Sequence, residues 1–266
     1  MRFIIGCCGL LMIVGVLIDA FEAVLLPRRV THGYRFLRFF YRNAWRAWRL
    51  LVSCISAPRR RESVLSLFGP LALLVVLGTW AIGLVIAFAI LHWSVETAMT
   101  NHTTPIGLGD YLYFSGVTFF TLGYGDLTPL GGLGKFLAVV ETGLGFGFLA
   151  MTISYHPVLT QAFSHREIVI SLLDARGGSP PTAAQILMRS GNANSSHALT
   201  ADLTTWETWS AELLESCLSF PMLGYYRSQH DNQSWLAALT CLLDSSALLL
   251  TVVEGADRRQ VRLAFA

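Results

Sequence analysis

From Leu67 to Trp93 the chain carries no Asp, Glu, Lys or Arg. That run limits the possible folds more than any other feature. A helix needs about 20 predominantly apolar residues to cross the hydrocarbon of a bilayer. A second block, Phe3–Leu26, is interrupted only by Asp19 and Glu22, and a third, Phe136–Tyr155, holds one acid, Glu141. Only 14% of the chain is charged, against about a quarter in ordinary soluble domains. These observations exclude a simple soluble domain and predict a multi-pass membrane protein with a water-soluble tail.

Charge between the blocks predicts the orientation. Ten arginines (28, 29, 35, 38, 42, 46, 49, 59, 60 and 61) fall between Arg28 and Arg61 with no acid among them. Short loops rich in Lys and Arg stay on the cytoplasmic side. The loop from Ser94 to Asp110 has Glu96 and Asp110 and no basic residue. The expected topology puts the amino terminus outside, Arg28–Arg61 inside, Ser94–Asp110 outside and everything after Tyr155 inside. The alternative for the first block is a cleaved signal peptide, since Arg2 precedes the apolar core and Ala20 and Ala23 follow it. The basic loop directly after it favours a retained helix. Cys7, Cys8, Cys54, Cys217 and Cys241 show no metal-ligand spacing and are expected to be reduced, inert thiols.

Between the second and third blocks, residues 118–129 read TFFTLGYGDLTP. Asp110 is expected to cap a short helix, Tyr111 to about Phe120, which is too short to span. A half-crossing helix, glycine-containing backbone and then a full helix make a re-entrant loop. Irregular backbone at that depth persists only when it is buried in protein or lines a water-filled path. Gly123 and Gly125 permit positive φ, so successive carbonyls can face one way and replace the water around a dehydrated cation. Thr121 can add its hydroxyl. A bare GYG would usually be an ordinary turn; this one lies between a pore-helix-sized segment and a membrane helix, on the predicted outer side.

TLGYGD resembles the selectivity-filter signature of potassium channels. The resemblance covers roughly residues 67–155. The larger layout is similar to a bacterial two-transmembrane-pore family carrying an extra amino-terminal helix and a helical carboxy-terminal tail. It implies an all-α membrane protein with the tetrameric potassium-channel pore fold: outer helix, re-entrant pore helix and filter, inner helix. It also implies a multi-pass location in the bacterial inner membrane. Thr121, Leu122, Gly123, Tyr124 and Gly125 would supply oxygens to K+, with metal positions at Thr121, Leu122, Gly123 and Tyr124. Tyr124 would brace the filter from behind. Asp126 would sit at the outer mouth, hydrogen-bonded to a pore-helix residue such as Tyr113. Leu122 stands where Val or Ile is usual, and Phe120 where a small or hydroxylated residue is usual. Leu122 lends a backbone carbonyl, so ion choice should survive while packing behind the filter changes.

Other residues carry weaker signals. Gly143, Gly145 and Gly147 interrupt the third block; they allow close helix packing or a gating hinge, and Gly145 matches the family's usual hinge distance from the filter. Pro157 should end or kink that helix. Glu141, one turn outward of Gly145, is expected to support the filter through Ser115 or Thr118, or to be protonated. Asp19 and Glu22 are expected to pair with Arg28 and Arg29. His92 and His102 flank the outer loop, where they could sense pH, and are expected to be exposed loop residues.

Arg35, Arg38, Arg42, Arg46 and Arg49 share an arc of about 80° on a helix, with Leu37, Phe40, Tyr41, Ala44, Trp48 and Leu51 broadly opposite. A voltage-sensing helix would look similar, but the rest of a sensor is absent and spanning would reverse the topology. The expected reading is an interfacial helix, with arginines on anionic inner-leaflet headgroups and aromatics inserted.

The expected domains are 1–62, an amino-terminal membrane helix and basic interfacial helix; 63–158, the pore; and 159–266, a helical cytoplasmic domain. The tail has seven arginines and ten acids and no GxGxxG or P-loop. Helices are predicted at Thr182–Arg189, Ala201–Leu218 and Gln233–Val253, the last a buried bundle helix rather than a span. Trp206, Trp209 and Trp235 are expected in its core or at a subunit contact. No catalytic constellation, organic cofactor or nucleic-acid partner is expected. The rival functions are a weakly selective cation channel, a transporter subunit and a membrane-anchored scaffold with a vestigial pore. Transporter subunits tend to carry four degenerate pore repeats, and this chain shows one.

Overall fold

The computed structural model describes residues 1–24, 36–100, 106–191, 196–228, 233–252 and 258–265, and among these the chain is helical, with one isolated bridge, Met99 to Pro129, and no strand. Among the described residues, three helices are long and apolar enough to cross a membrane. The first, α1, is Arg2–Val24. After it come α2 (Phe36–Ser53), α3 (Pro58–Ser66) and α4 (Phe68–Ser94), the last holding the uncharged run. A short helix, α5 (Leu108–Phe119), leads into the glycine-rich segment, and α6 (Gly132–Gly177) leads out of it. The remainder comprises α7 (Ala183–Gly191), α8 (Ser196–Ser219), a 3₁₀ turn at Pro221–Tyr225, α9 (Trp235–Thr251) and α10 (Arg258–Phe265). This is an all-α membrane protein.

The chain divides into two compact units, Met1–Ala44 with Leu71–Pro157, and Trp45–Pro70 with Val158–Ala266. In the first, Ile13 of α1, Ala81, Leu84, Val85, Ala87 and Phe88 of α4, and Phe119 of α5 form a buried cluster. The approach of α1 to α4 is close because Gly9 has no side chain: a Cβ there would lie 3.0 Å from the Ala87 carbonyl oxygen. Trp80 Nε1 donates to Asp19 Oδ2 at 2.8 Å, so Asp19 finds its partner on α4. Arg28 and Arg29, its expected partners, lie outside the described residues.

Two expectations are corrected here. Of the two outcomes expected at Pro157, an end or a kink, the helix does not end there; α6 runs through it to Gly177 and is 46 residues long. A proline inside a helix costs about 3 kcal/mol. Burial on both sides of it, at Tyr155 and at Leu159, Phe163, Ile170 and Leu173, outweighs that loss. At about 1.5 Å per residue the helix is about 69 Å long, more than twice the hydrocarbon thickness of about 30 Å. Asp110 is not the N-cap of α5 either. Gly107 occupies that position, and Asp110, in the first turn, accepts the Gly107 N–H at 2.8 Å.

In the second unit, Ile170, Leu173, Ile186, Leu203, Trp206, Trp209, Leu213, Leu242, Leu249 and Val261 make one core, with Trp235 packed at its edge. α9 is 17 residues long and buries Ala238, Cys241, Leu242 and Leu249 in that core, as a bundle helix should. Burial raises the Cys241 thiol above its ordinary pKa, which keeps it protonated and inert. Arg166, 3% exposed, donates to the Leu223 and Tyr226 carbonyls, both at 3.0 Å. The segment 45–70 belongs to this unit because Trp45 and Phe68 pack edge to face at 4.9 Å, and Tyr225 stacks near both.

Trp209 is 2% exposed and its Nε1 donates to the Arg166 carbonyl at 3.3 Å. Trp209→Ala is expected to destabilise this unit by about 3–5 kcal/mol, read as a lower melting temperature of the purified chain in detergent.

Candidate functional site

α5 is 12 residues long, about 18 Å at the helical rise, so it can cross only about half of the hydrocarbon. Its apolar face, with Tyr111 and Phe114 buried, packs with Ala89, Met99 and Ala138. Its carboxy-terminal end, where the helix dipole is negative, leads directly into Thr121. The ladder continues past that end: the Phe120 N–H donates to Gly116 O at 3.1 Å and the Leu122 N–H to Val117 O at 2.9 Å.

Positive φ occurs at Thr121 (56°), Gly123 (61°) and Gly125 (76°), whereas Leu122 and Tyr124 between them are not in that region. Alternation between mirror-image backbone basins brings successive carbonyls onto one side of the strand. Gly123 and Gly125 reach the left-handed basin without steric cost. Thr121 is β-branched, and holding it there costs about 1–2 kcal/mol. Such strain persists where the surroundings enforce it, as they do at functional sites. A column of aligned carbonyl oxygens can coordinate a cation that has shed its water.

The segment after the column is pinned to the α4–α5 loop. The Thr100 N–H donates to Thr128 O at 2.9 Å and the Leu130 N–H to Ala98 O at 2.7 Å. Tyr113 Oη donates to Asp126 Oδ2 at 2.8 Å, so the expected pair meets. Leu122, Tyr124 and Phe120 are more than half exposed in the single chain, so the column is backed on one side only.

Glu141 is fully buried. Ser115 Oγ donates to its Oε1 and lies 2.8 Å from the Val85 carbonyl; Thr118 is not its partner. Oε2 is 3.6 Å from Nε2 of His92. His92 is 0% exposed, which corrects the expectation of an exposed loop residue: it sits on the last turn of α4, and its Nδ1 is 3.0 Å from Thr97 Oγ1. His102 lies outside the described residues. The reading of residue types missed His92 because it weighed the loop rather than the helix before it. A histidine closing an otherwise uncharged apolar run was the available signal.

The inner-helix glycines differ among themselves. A Cβ on Gly145 would lie 2.0 Å from the Phe119 carbonyl oxygen, whereas Gly143 and Gly147 meet nothing within 4 Å. Gly145 therefore lets α6 touch the backbone at the end of α5. Of the arginine stripe, Arg42, Arg46 and Arg49 are exposed on α2, Arg38 lies in its first turn, and Arg35 falls outside the described residues. The aromatic face opposite is partly used within the protein: Tyr41 is buried, and Trp48 Nε1 donates to Val64 O at 3.1 Å.

Residues 73–159 match the family described as ion channel. The chain is 29% identical over 199 residues to the uncharacterized membrane protein YdjJ of Bacillus subtilis, covering 74% of this chain and 57% of the relative. It is 40% identical over 77 residues to two-pore potassium channel 5 of Arabidopsis thaliana, covering 28% of this chain and 19% of the relative. Protein LctB of Geobacillus stearothermophilus is 33% identical over 75 residues, 26% of this chain and 55% of the relative. The chain thus spans less than two thirds of the length of each. No solved structure matches it.

Gly145→Ala is expected to push the end of α5 away from α6 and cost about 1–3 kcal/mol. Gly143→Ala and Gly147→Ala are expected to be tolerated. Thermal stability of the three variants in detergent, measured side by side, checks the contrast.

Proposed function

We propose that this chain, whose residues 73–159 match the family described as ion channel, acts as a membrane-embedded channel in which four copies surround one axis and conduct potassium passively. The observation that carries the reading is the alternation of φ along Thr121–Gly125. In the tetramer, carbonyls of Thr121, Leu122, Gly123 and Tyr124, with the Thr121 hydroxyl, form stacked K+ sites, and Gly125 closes the column. Occupancy by several ions eases exit through their mutual repulsion. Asp126, held by Tyr113, lies at the outer mouth.

Fourfold assembly is supported by what one chain leaves uncovered. Tyr124 is 68% exposed and, on α6, Phe146 and Ile153 are 67% and 64% exposed. Polar backbone at membrane depth needs protein or a water-filled path around it, and neighbouring copies supply both. The amino terminus lies outside and the tail, 159–266, inside. Arg35, Arg38, Arg42, Arg46 and Arg49 contact anionic headgroups of the inner leaflet, bending of α6 at Gly143–Gly147 opens the inner mouth, and the tail transmits the stimulus through the continuous helix.

A weakly selective cation channel is the second reading, favoured if only two or three of the filter's binding sites form. Potassium and sodium fluxes into liposomes containing the full chain separate the two. Potassium should pass at least about a hundredfold faster than sodium, and Gly123→Ser or Tyr124→Ala should abolish the potassium flux. Equal permeability would sink the selectivity claim, and a monomer in native mass spectrometry would sink the shared pore.

A further inference from the structure

Glu141 and His92 are both fully buried, and their facing atoms, Oε2 and Nε2, have no hydrogen-bond partner among the described residues although they lie 3.6 Å apart. Two buried polar atoms left in this way are costly unless they share a proton. The gap is too short to admit a bridging water and closes to a hydrogen bond with a shift of a few tenths of an ångström. The other side of each group is already tied. Ser115 Oγ donates to Glu141 Oε1, and His92 Nδ1 meets Thr97 Oγ1 at 3.0 Å.

We propose that His92 and Glu141 share one proton as a couple that positions the pore helix through Ser115, and that conduction therefore depends on pH. The proposal rests on the pore reading above. Three elements meet here: His92 closes α4, Ser115 lies on α5 and Glu141 lies on α6. Ser115 is six residues before Thr121, in the last turns of α5, so a displacement of α5 at Ser115 is passed to the start of the carbonyl column. His92 and Glu141 are positioning residues; neither touches the ion.

The surroundings isolate the couple. From α5, the Phe114 ring meets the imidazole edge-on at 5.2 Å, and Tyr111 donates to the Thr97 carbonyl at 2.9 Å. The other charges at this end are engaged elsewhere or stand in solvent. Arg2 pairs with Glu96, Asp110 accepts the Gly107 N–H, Asp126 accepts from Tyr113, and Lys135 on α6 is exposed.

With one proton the couple is neutral, and both Glu141 oxygens can accept. A second proton leaves a net positive charge in apolar surroundings and turns one acceptor into a donor, which loosens the hold on Ser115 or His92. Removing the proton leaves a net negative charge in the same apolar surroundings, held only by the single N–H that a neutral imidazole keeps. Either change buries a net charge between the three helices, so the couple responds to pH as a unit, with one step on each side. Conduction should be greatest between the two steps and fall on both sides, approaching about tenfold per pH unit beyond each step.

The test uses the full chain in liposomes, with potassium flux measured from about pH 4 to about pH 9 for wild type, His92→Gln and Glu141→Gln. A two-limbed wild-type profile that keeps at most one limb in each variant is expected. A flat wild-type profile, or both limbs surviving in both variants, overturns the proposal. Ser115→Ala, which removes the tie and leaves the couple titratable, is expected to lower the potassium-to-sodium ratio. An unchanged ratio rejects the route through Ser115. Infrared spectra of the same proteins in detergent give a readout independent of conduction. The carboxyl band lost in Glu141→Gln should move in His92→Gln, and a band that does not move overturns proton sharing. A wild-type chain without selective potassium flux defeats the pore reading instead, and the infrared arm then decides the couple by itself.

Discussion

A peptide group in hydrocarbon has no water to turn to, and every irregular backbone atom at membrane depth needs a substitute. Residues 121–125 present that demand at five consecutive positions. Their neighbourhood answers it piece by piece. The end of α5 takes the Phe120 and Leu122 N–H groups, and the left-handed turns at Thr121, Gly123 and Gly125 bring carbonyls to a common side. The contact of Gly145 with the Phe119 carbonyl then sets how closely α6 can back this end of α5. Glycine at 145 is thus a consequence of the same demand: a side chain there would occupy the space of the carbonyl.

The uncharged run of α4 is the wall against which this is built. Phe88, Val85 and Leu84 pack with Phe119, Ile13 of α1 packs on the same surface, and the Val85 carbonyl lies 2.8 Å from the Ser115 hydroxyl. A helix of this kind offers dispersion contacts and almost no directional ones, so its few polar side-chain atoms matter disproportionately. Trp80, midway along α4, donates to Asp19 on α1, and His92, on its last turn, faces Glu141 on α6 at 3.6 Å. Intramembrane acids are rare because they are costly, and in this chain Asp19 and Glu141 each have a ring nitrogen from α4 facing them.

The architecture was legible where a physical rule acts on a long stretch. Three apolar blocks gave three membrane helices, and the short helix before GYG followed from its length and the charge pattern. The Tyr113–Asp126 bond and the partnership of Ser115 with Glu141 were readable because each pairs a polar group at membrane depth with the nearest complementary residue type. Single-residue rules failed where tertiary packing outweighed them. Pro157 breaks isolated helices, yet α6 continues because buried residues hold it on both sides. Asp19 was read only against its sequence neighbours Arg28 and Arg29, which lie outside the described residues, whereas Trp80, 61 residues away, donates to it. Arg166 gave no local signal at all, since its partners are carbonyls at Leu223 and Tyr226.

The continuity of α6 changes what the tail can do. Had Pro157 broken the helix, a loop would absorb any rotation of the tail before it reached the pore. A continuous helix transmits rotation and translation along its axis, and its core-facing residues in the tail, Ile170 and Leu173, share a cluster with Trp206 and Trp209. The segment 45–70 is fixed to the same unit through Trp45, Phe68 and Tyr225, and Glu62 pairs there with Arg227. Two chain segments therefore leave this unit for membrane helices, α4 and α6.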